Sequence, residues 1–540
     1  MNAFERLPKQ LLAASVLALL FALPHGKAGV IRGFGEPGPV SLGRTTANYL
    51  AVNREGLGHF LIAPYFSAQA GNTSLLSLTN TDPLNGKAVK ILFRGAGNGD
   101  LLHTLSVLLA PNDVWNAIVY ADAVTGSAVL ASADGSCTFP SLSNGALHRF
   151  STSRLNPGLT AADKAVQTLE GYIEVVNMAD IPSLGTVAIT SGSLAQSIQH
   201  GAKQARNCSA PAVLLSQADV STEIAAASLG YATPTTGLQG SLTIVNVPLT
   251  LTFSTDMVAI EARDNATAKA GRANFVLFPQ KEEPVPSADG LSADPALRSK
   301  PLSSKSVTGE SATYQPVTGS LPIVQSFLSD FPDLSTPYLT GLTTPELQAI
   351  QLHQVLAVKS VLGDFSSEDT IGAASDWVLA MPSRRYTVGL DYRQTSPTLV
   401  YSSSPTPGGG EYFSGANTSV DRALICSKLE GQTYFDRNAL QQSGFANVPA
   451  QTDKLCGAVP VMIFGSRTAL SGKLTTFPAG TVLKNGWASL NTPNALILRS
   501  TVEKVGLPIL GASFFKASNP SAAPGVSGNY GMTFSYSFGR

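Results

Sequence analysis

Histidine is the side chain best suited to proton transfer and zinc binding near neutral pH. Beyond residue 28 the chain holds five, His59, His103, His148, His200 and His353. None has another His at zinc-ligand spacing, no H-E-x-x-H occurs and close pairs such as C-x-x-C are absent, so each His is read as a packing or surface residue and no metal ligand is assigned. The G-x-S-x-G elbow that exposes a nucleophilic serine is missing as well. Ser513-Phe514-Phe515-Lys516 fits S-x-x-K, but neither S-D-N nor K-T-G follows it, and two fixed positions recur by chance in a Ser-rich chain. No catalytic residue is assigned, and the chain is read as a non-enzyme. Acidic residues are dispersed, so a pair of carboxylates for glycoside cleavage would have to be assembled by the fold. Asn112-Asp113, Asp289 and Asp294 are expected to form turns; calcium is the alternative cofactor there, although the EF-hand order of ligands is missing.

The most distinctive stretch runs from Ser375 to Tyr386. On a strand, Trp377, Leu379 and Met381 share one face, and Arg384 and Arg385 follow where the strand ends. The functional reading makes Trp377, Arg384, Arg385 and Tyr386 a ligand patch for a glycan or anion, through aromatic stacking and guanidinium hydrogen bonds. The plain alternative, and the preferred one, is a buried Trp with two solvated Arg.

The elements that would carry these residues are mostly strands. Val89, Ile91 and Phe93 alternate with Lys90 and Leu92, and Ser74 to Asn80 is a second β-rich run. Asn85-Gly86 between them tolerates positive φ, which predicts a hairpin. Tyr530, Met532, Phe534, Tyr536 and Phe538 alternate strictly at the C-terminal end, as a closing sandwich strand would. One clear helix is predicted over 344–362, with Thr344 as N-cap, Pro345 in the first turn and Gly363 as its stop. Residues 279–319 are rich in Pro, Ser, Lys and Glu and read as a linker or long loop. The expected fold is therefore mainly β: two β-sandwich, immunoglobulin-like domains over 29–278 and 320–540, with a few added helices.

Residues 1–28 read as a signal peptide: Arg6 and Lys9 precede the apolar run Leu11 to Leu23, and small residues at Gly26 and Ala28 suit cleavage. No later stretch has the roughly 18 uninterrupted apolar residues of a transmembrane helix. Losing the leader would remove Arg6, Lys9 and Lys27 against Glu5, taking a chain with 36 basic and 36 acidic residues to a net charge of about −2. That near-neutrality excludes a nucleic-acid partner. Charged residues make up only 13% of the chain, so little repulsion opposes contact between copies. In an oxidising compartment Cys137, Cys208, Cys426 and Cys456 form two disulfides. Of the three pairings, Cys137 with Cys208 and Cys426 with Cys456 is favoured, because each closes a loop within its own half.

Several segments resemble a group of exported proteobacterial proteins labelled only as cell-surface, surface-layer-like proteins. They are Ala63-Pro64-Tyr65-Phe66, Asn72 to Thr81, Gly86 to Lys90, Asp113-Val114-Trp115, Ser136-Cys137-Thr138, Asp376-Trp377-Val378, Met381 to Tyr386 and Phe435-Asp436-Arg437. The resemblance implies a role at the cell surface or elsewhere in the envelope, with the protein itself or other envelope components as partners, and carries no catalytic residues. The expected function is thus a structural or interaction protein of the surface, extracellular space or periplasm. A glycan-binding module is the first alternative and a secreted hydrolase the second.

Overall fold

The computed structural model describes residues 30–35, 41–142, 145–182, 192–200, 206–218, 220, 222–277, 303–305, 311–313, 338–340, 345–392, 397–402, 412–443, 453–493, 506–523 and 526–539. The predicted signal peptide, Thr344, Asp289 and Asp294 lie outside them. The chain is mainly β, as its alternation requires, and four large sheets organise it.

An eight-stranded sheet is built around Phe60–Ser67, Glu170–Pro182, Asn85–Gly95 and Leu101–Leu109. A six-stranded sheet is built around Val114–Ala121, Asn72–Asn80, Leu238–Asn246 and Leu251–Asp256. Val89, Ile91 and Phe93 from the first share a core with Leu76, Leu78, Trp115 and Val119 from the second. The opposite face of the eight-stranded sheet, with Ala88, Leu92 and Val176, packs with Ile198, Val213, Ala226, Leu352 and Leu356 from short helices. The alternation seen in the sequence is therefore real, and both of its faces are buried.

The predicted hairpin at Asn85-Gly86 does not form. Asn72–Asn80 and Asn85–Gly95 belong to different sheets, and Asn85 and Gly86 already lie within the second strand. The turn falls earlier, where the Asp82 carboxylate accepts from Leu84 N and Asn85 N at 2.8 and 3.0 Å. The patterns explain the separation. Asn72–Asn80 alternates buried Leu with wetter positions and suits a sheet with one solvated face, whereas Asn85–Gly95 is buried from Gly86 onward and needs cover on both sides.

In the second half, a middle five-stranded sheet contains Val461–Phe464, Ala374–Val378, Ala512–Ala523 and Val526–Ser535. An outer five-stranded sheet contains Gly431–Phe435, Asn485–Asn491 and Ser360–Ser366. Trp377, Met462 and Phe464 meet Phe365, Tyr434 and Leu490 in the core between them. The middle sheet's other face adds Val378, Val461 and Phe514 to the core of the first half. The halves expected over 29–278 and 320–540 thus share a core. They also meet edge to edge: Leu251–Asp256 lies against Val526–Ser535, where a Cβ on Gly531 would stand 2.5 Å from the Thr252 carbonyl oxygen.

The helix predicted over 344–362 is shorter, Pro345–Leu356. Ala357–Val358 then pairs with Leu507–Pro508, and Ser360–Ser366 joins the outer sheet. Beyond Leu356 the inward positions Val361, Gly363 and Phe365 follow a period of two. Gly363 is no helix stop but a place of close approach, since a Cβ there would stand 2.9 Å from the Trp377 ring. Within the predicted linker, Ser303–Lys305 pairs with Ser311–Thr313 and with Thr398–Tyr401, so that stretch contributes strands as well as loop.

Candidate functional site

The patch proposed from sequence is not at the surface. Trp377, Arg384, Arg385 and Tyr386 are all buried. Trp377 Nε1 donates to the Asp364 carbonyl at 3.1 Å, and Arg384 Nη1 donates to the carbonyls of Ile425 and Gly457 at 2.8 and 2.7 Å. Tyr386 OH donates to Glu174 Oε1 at 2.7 Å, and Arg94 Nε holds the other oxygen of that carboxylate at 2.6 Å. The 3₁₀ turn Pro382–Tyr386 is a plug between the halves, and both the ligand patch and the two solvated Arg are corrected. Carbonyls of distant segments hold Arg384 by Nη1, while its buried Nε and Nη2 have no hydrogen-bond acceptor among the described residues.

A serine–histidine pair that the sequence did not reveal lies beside this plug. His353 Nδ1 is 2.8 Å from Ser383 Oγ, and its Nε2 is 2.6 Å from Thr387 Oγ1. Both Ser383 and His353 are buried, and burial pushes the imidazole down to about 3, far from the range of a general base at neutral pH. The pair ties helix to turn. Ser513 and Lys516 lie three residues apart on one strand, which sends them to opposite faces and removes the S-x-x-K reading.

Two buried carboxylates mark the seam between the halves. Glu170 Oε1 accepts from Lys473 N at 2.9 Å and Oε2 from Tyr65 OH at 3.4 Å. Burial raises Glu170 to about 7. Asp376 Oδ2 accepts from Thr468 Oγ1, from Ala469 N at 3.0 Å and from Leu470 N at 2.8 Å; burial outweighs these bonds and raises it to about 6. Both hold the loop 468–474 in place. Asp113, at one predicted calcium turn, is already paired with Arg206 at 2.5 Å and with His200 at 2.9 Å. Among the described residues no three His, Cys, Asp or Glu gather as a metal-ligand set.

An open cleft of about 670 Å³ lies on the wet face of the outer sheet. Register places Asp364, Trp487 and Phe435 in one row across three strands, with Ser366 and Asn485 in the next. The Phe435 and Trp487 rings are stacked, 4.3 Å between centroids and 13° from parallel. Trp487 remains 39% exposed. Asp436 Oδ1 is spent on its own turn, accepting from Asn438 N and Leu440 N at 2.8 and 2.7 Å. Asp364 and Arg437 are exposed, and neither side chain is in an ion pair among the described residues. Phe435-Asp436-Arg437 stood out in the sequence, but Asp364 and Trp487 join it only through strand pairing.

Both cystines take the favoured pairing, Cys137–Cys208 and Cys426–Cys456, and no cysteine is free. No helix among the described residues is long and apolar enough to cross a membrane. Compared with family models, curated proteins and solved structures, the chain matches none.

Proposed function

We propose that this chain is an exported protein of the cell surface or envelope with a structural or interaction role, not an enzyme. The observation that carries the reading is the use of all four cysteines in two disulfides, since such bonds persist in oxidising compartments and are rare in the reducing cytosol. The face-to-face sheets are taken as two β-sandwich modules of immunoglobulin-like type that share their middle layer.

Contact with a second copy or another envelope component is supported by an apolar stripe. Tyr530, Met532 and Phe534 lie on one face of an edge strand and keep 60%, 44% and 46% of their surface exposed. Exposed apolar rows of this kind favour association. Fractionation combined with surface biotinylation of intact cells tests the assignment. Labelling of the protein on whole cells, in a fraction that sediments with the envelope, is the expected result. Recovery only as free monomer in the periplasm, or in the cytoplasm, rejects it.

A further inference from the structure

We propose that the cleft beside Trp487 is a glycan-binding site that seats a hexopyranose ring of a polysaccharide. The inference deepens the interaction role proposed above by naming a ligand class and a place for it. Core packing does not require this Trp: the core of the second half lies on the opposite face of the outer sheet, through Phe365, Tyr434 and Leu490. Phe435 covers one face of the indole, so the exposure that Trp487 retains belongs to its other face and rim. Asp364 is the register partner of Trp487 on the neighbouring strand, across from Phe435 on the other side.

A pyranose has an apolar C–H face and a rim of hydroxyls, and it needs a flat apolar wall beside donors and acceptors. Trp487 is the wall. The Asp364 carboxylate accepts from hydroxyls, and the Arg437 guanidinium donates to hydroxyl and ring oxygens. Asn485 gives its Nδ2 to Glu368 at 3.2 Å and keeps its amide oxygen as an acceptor. The cleft's volume falls within the range of roughly 300–1,000 Å³ that holds a drug-sized ligand, enough for a short oligosaccharide. Two acidic side chains, Asp364 and Asp436, against the single basic Arg437 in the lining favour an uncharged sugar over a strongly anionic one. The competing account is a cross-strand aromatic pair that only stabilises the sheet; it predicts no response to any sugar.

The chain's three tryptophans make the test direct. Trp115 and Trp377 are fully buried, so quenching by acrylamide reads Trp487 alone. The full chain is titrated with cellohexaose, chitohexaose, xylohexaose and maltohexaose, and binding is measured in parallel by calorimetry and by retention on purified sacculi, which separates envelope glycan from other polysaccharides. The expected result is saturable protection of Trp487 by at least one of these ligands. Binding should weaken about tenfold or more in W487A and D364N and be largely kept in W487F, while far-ultraviolet circular dichroism and the unfolding midpoint stay unchanged. Absence of saturable binding to all of them, or equal affinity in W487A, overturns the proposal. Because the purified protein is used, failure here leaves the envelope assignment standing, and a cytoplasmic location found by fractionation leaves the binding result standing.

Discussion

Replacing Glu170 with Gln tests the seam between the two halves. The carboxyl lies between Tyr65 and the backbone of Lys473, with the Lys473 side chain as its charged neighbour. Burial keeps its proton on up to about pH 7 instead of the ordinary 4.5. The folded protein therefore binds a proton that the unfolded chain has lost across that window. The carboxyl's contribution is fully present below 4.5 and is lost as the pH climbs to about 7, a cost of about 3 kcal/mol at higher pH. Gln preserves an acceptor for Lys473 N but cannot ionise. The stability of E170Q relative to the unmodified protein, from equilibrium urea unfolding, should thus rise by about 3 kcal/mol between pH 4.5 and about pH 8. Asp376 and the histidines contribute equally to both proteins and cancel. A difference that stays constant over this range would refute the claim that Glu170 is held protonated by burial.

Three further outcomes follow from other parts of the fold. His59, His103 and His353 are each pushed down to about 3 by burial, so the unfolded chain takes up protons below 6.5 that the folded one refuses; stability falls as pH drops from 6.5 towards 3, and H103L should unfold at lower pH in an acid titration followed by fluorescence. An unmoved acid midpoint would reject this account. G363A should lose about 1–3 kcal/mol in urea unfolding, because the new methyl meets the buried Trp377 and Tyr536 rings at 2.9 and 3.1 Å; unchanged stability would show that the sheets are not packed this closely. The disulfides join residues 71 and 30 apart in sequence, and removing either by paired Cys-to-Ser substitution should cost about 4 kcal/mol. Thiol titration of the denatured, unreduced protein should find none, and four would overturn the assigned pairing.

Much of the β architecture was legible in the residues. The alternation of Val89, Ile91 and Phe93 with Lys90 and Leu92 defined two faces correctly, because side-chain direction along a strand is a local property. Strand partners are not local. Asn85-Gly86 had the chemistry of a tight turn, yet its flanking strands joined different sheets once one needed cover on two faces and the other on one. The helix at Pro345–Leu356 was also legible, but its end was not: Val358, Val361 and Leu362 fit helical spacing, and only the Trp377 ring above Gly363 reveals the strand.

The candidate site divided in the same way. Arg384 and Arg385 looked like surface cations because charged side chains are seldom fully buried, and the carbonyls of Ile425 and Gly457 that accept from Arg384 come from segments 41 and 73 residues away. Trp487, Asp364 and Phe435 carry no spacing signal, being separated in the chain and adjacent only across paired strands. By itself the sequence determined the β character, the facing of side chains and the cysteines available for pairing, since these depend on residue type and short-range period. Tertiary structure alone decided which strands became neighbours, that the two halves share a core, which charges were buried and which aromatic stayed open to solvent. Those outcomes depend on contacts between segments tens to hundreds of residues apart, as where Lys473 N meets Glu170 across 303 residues.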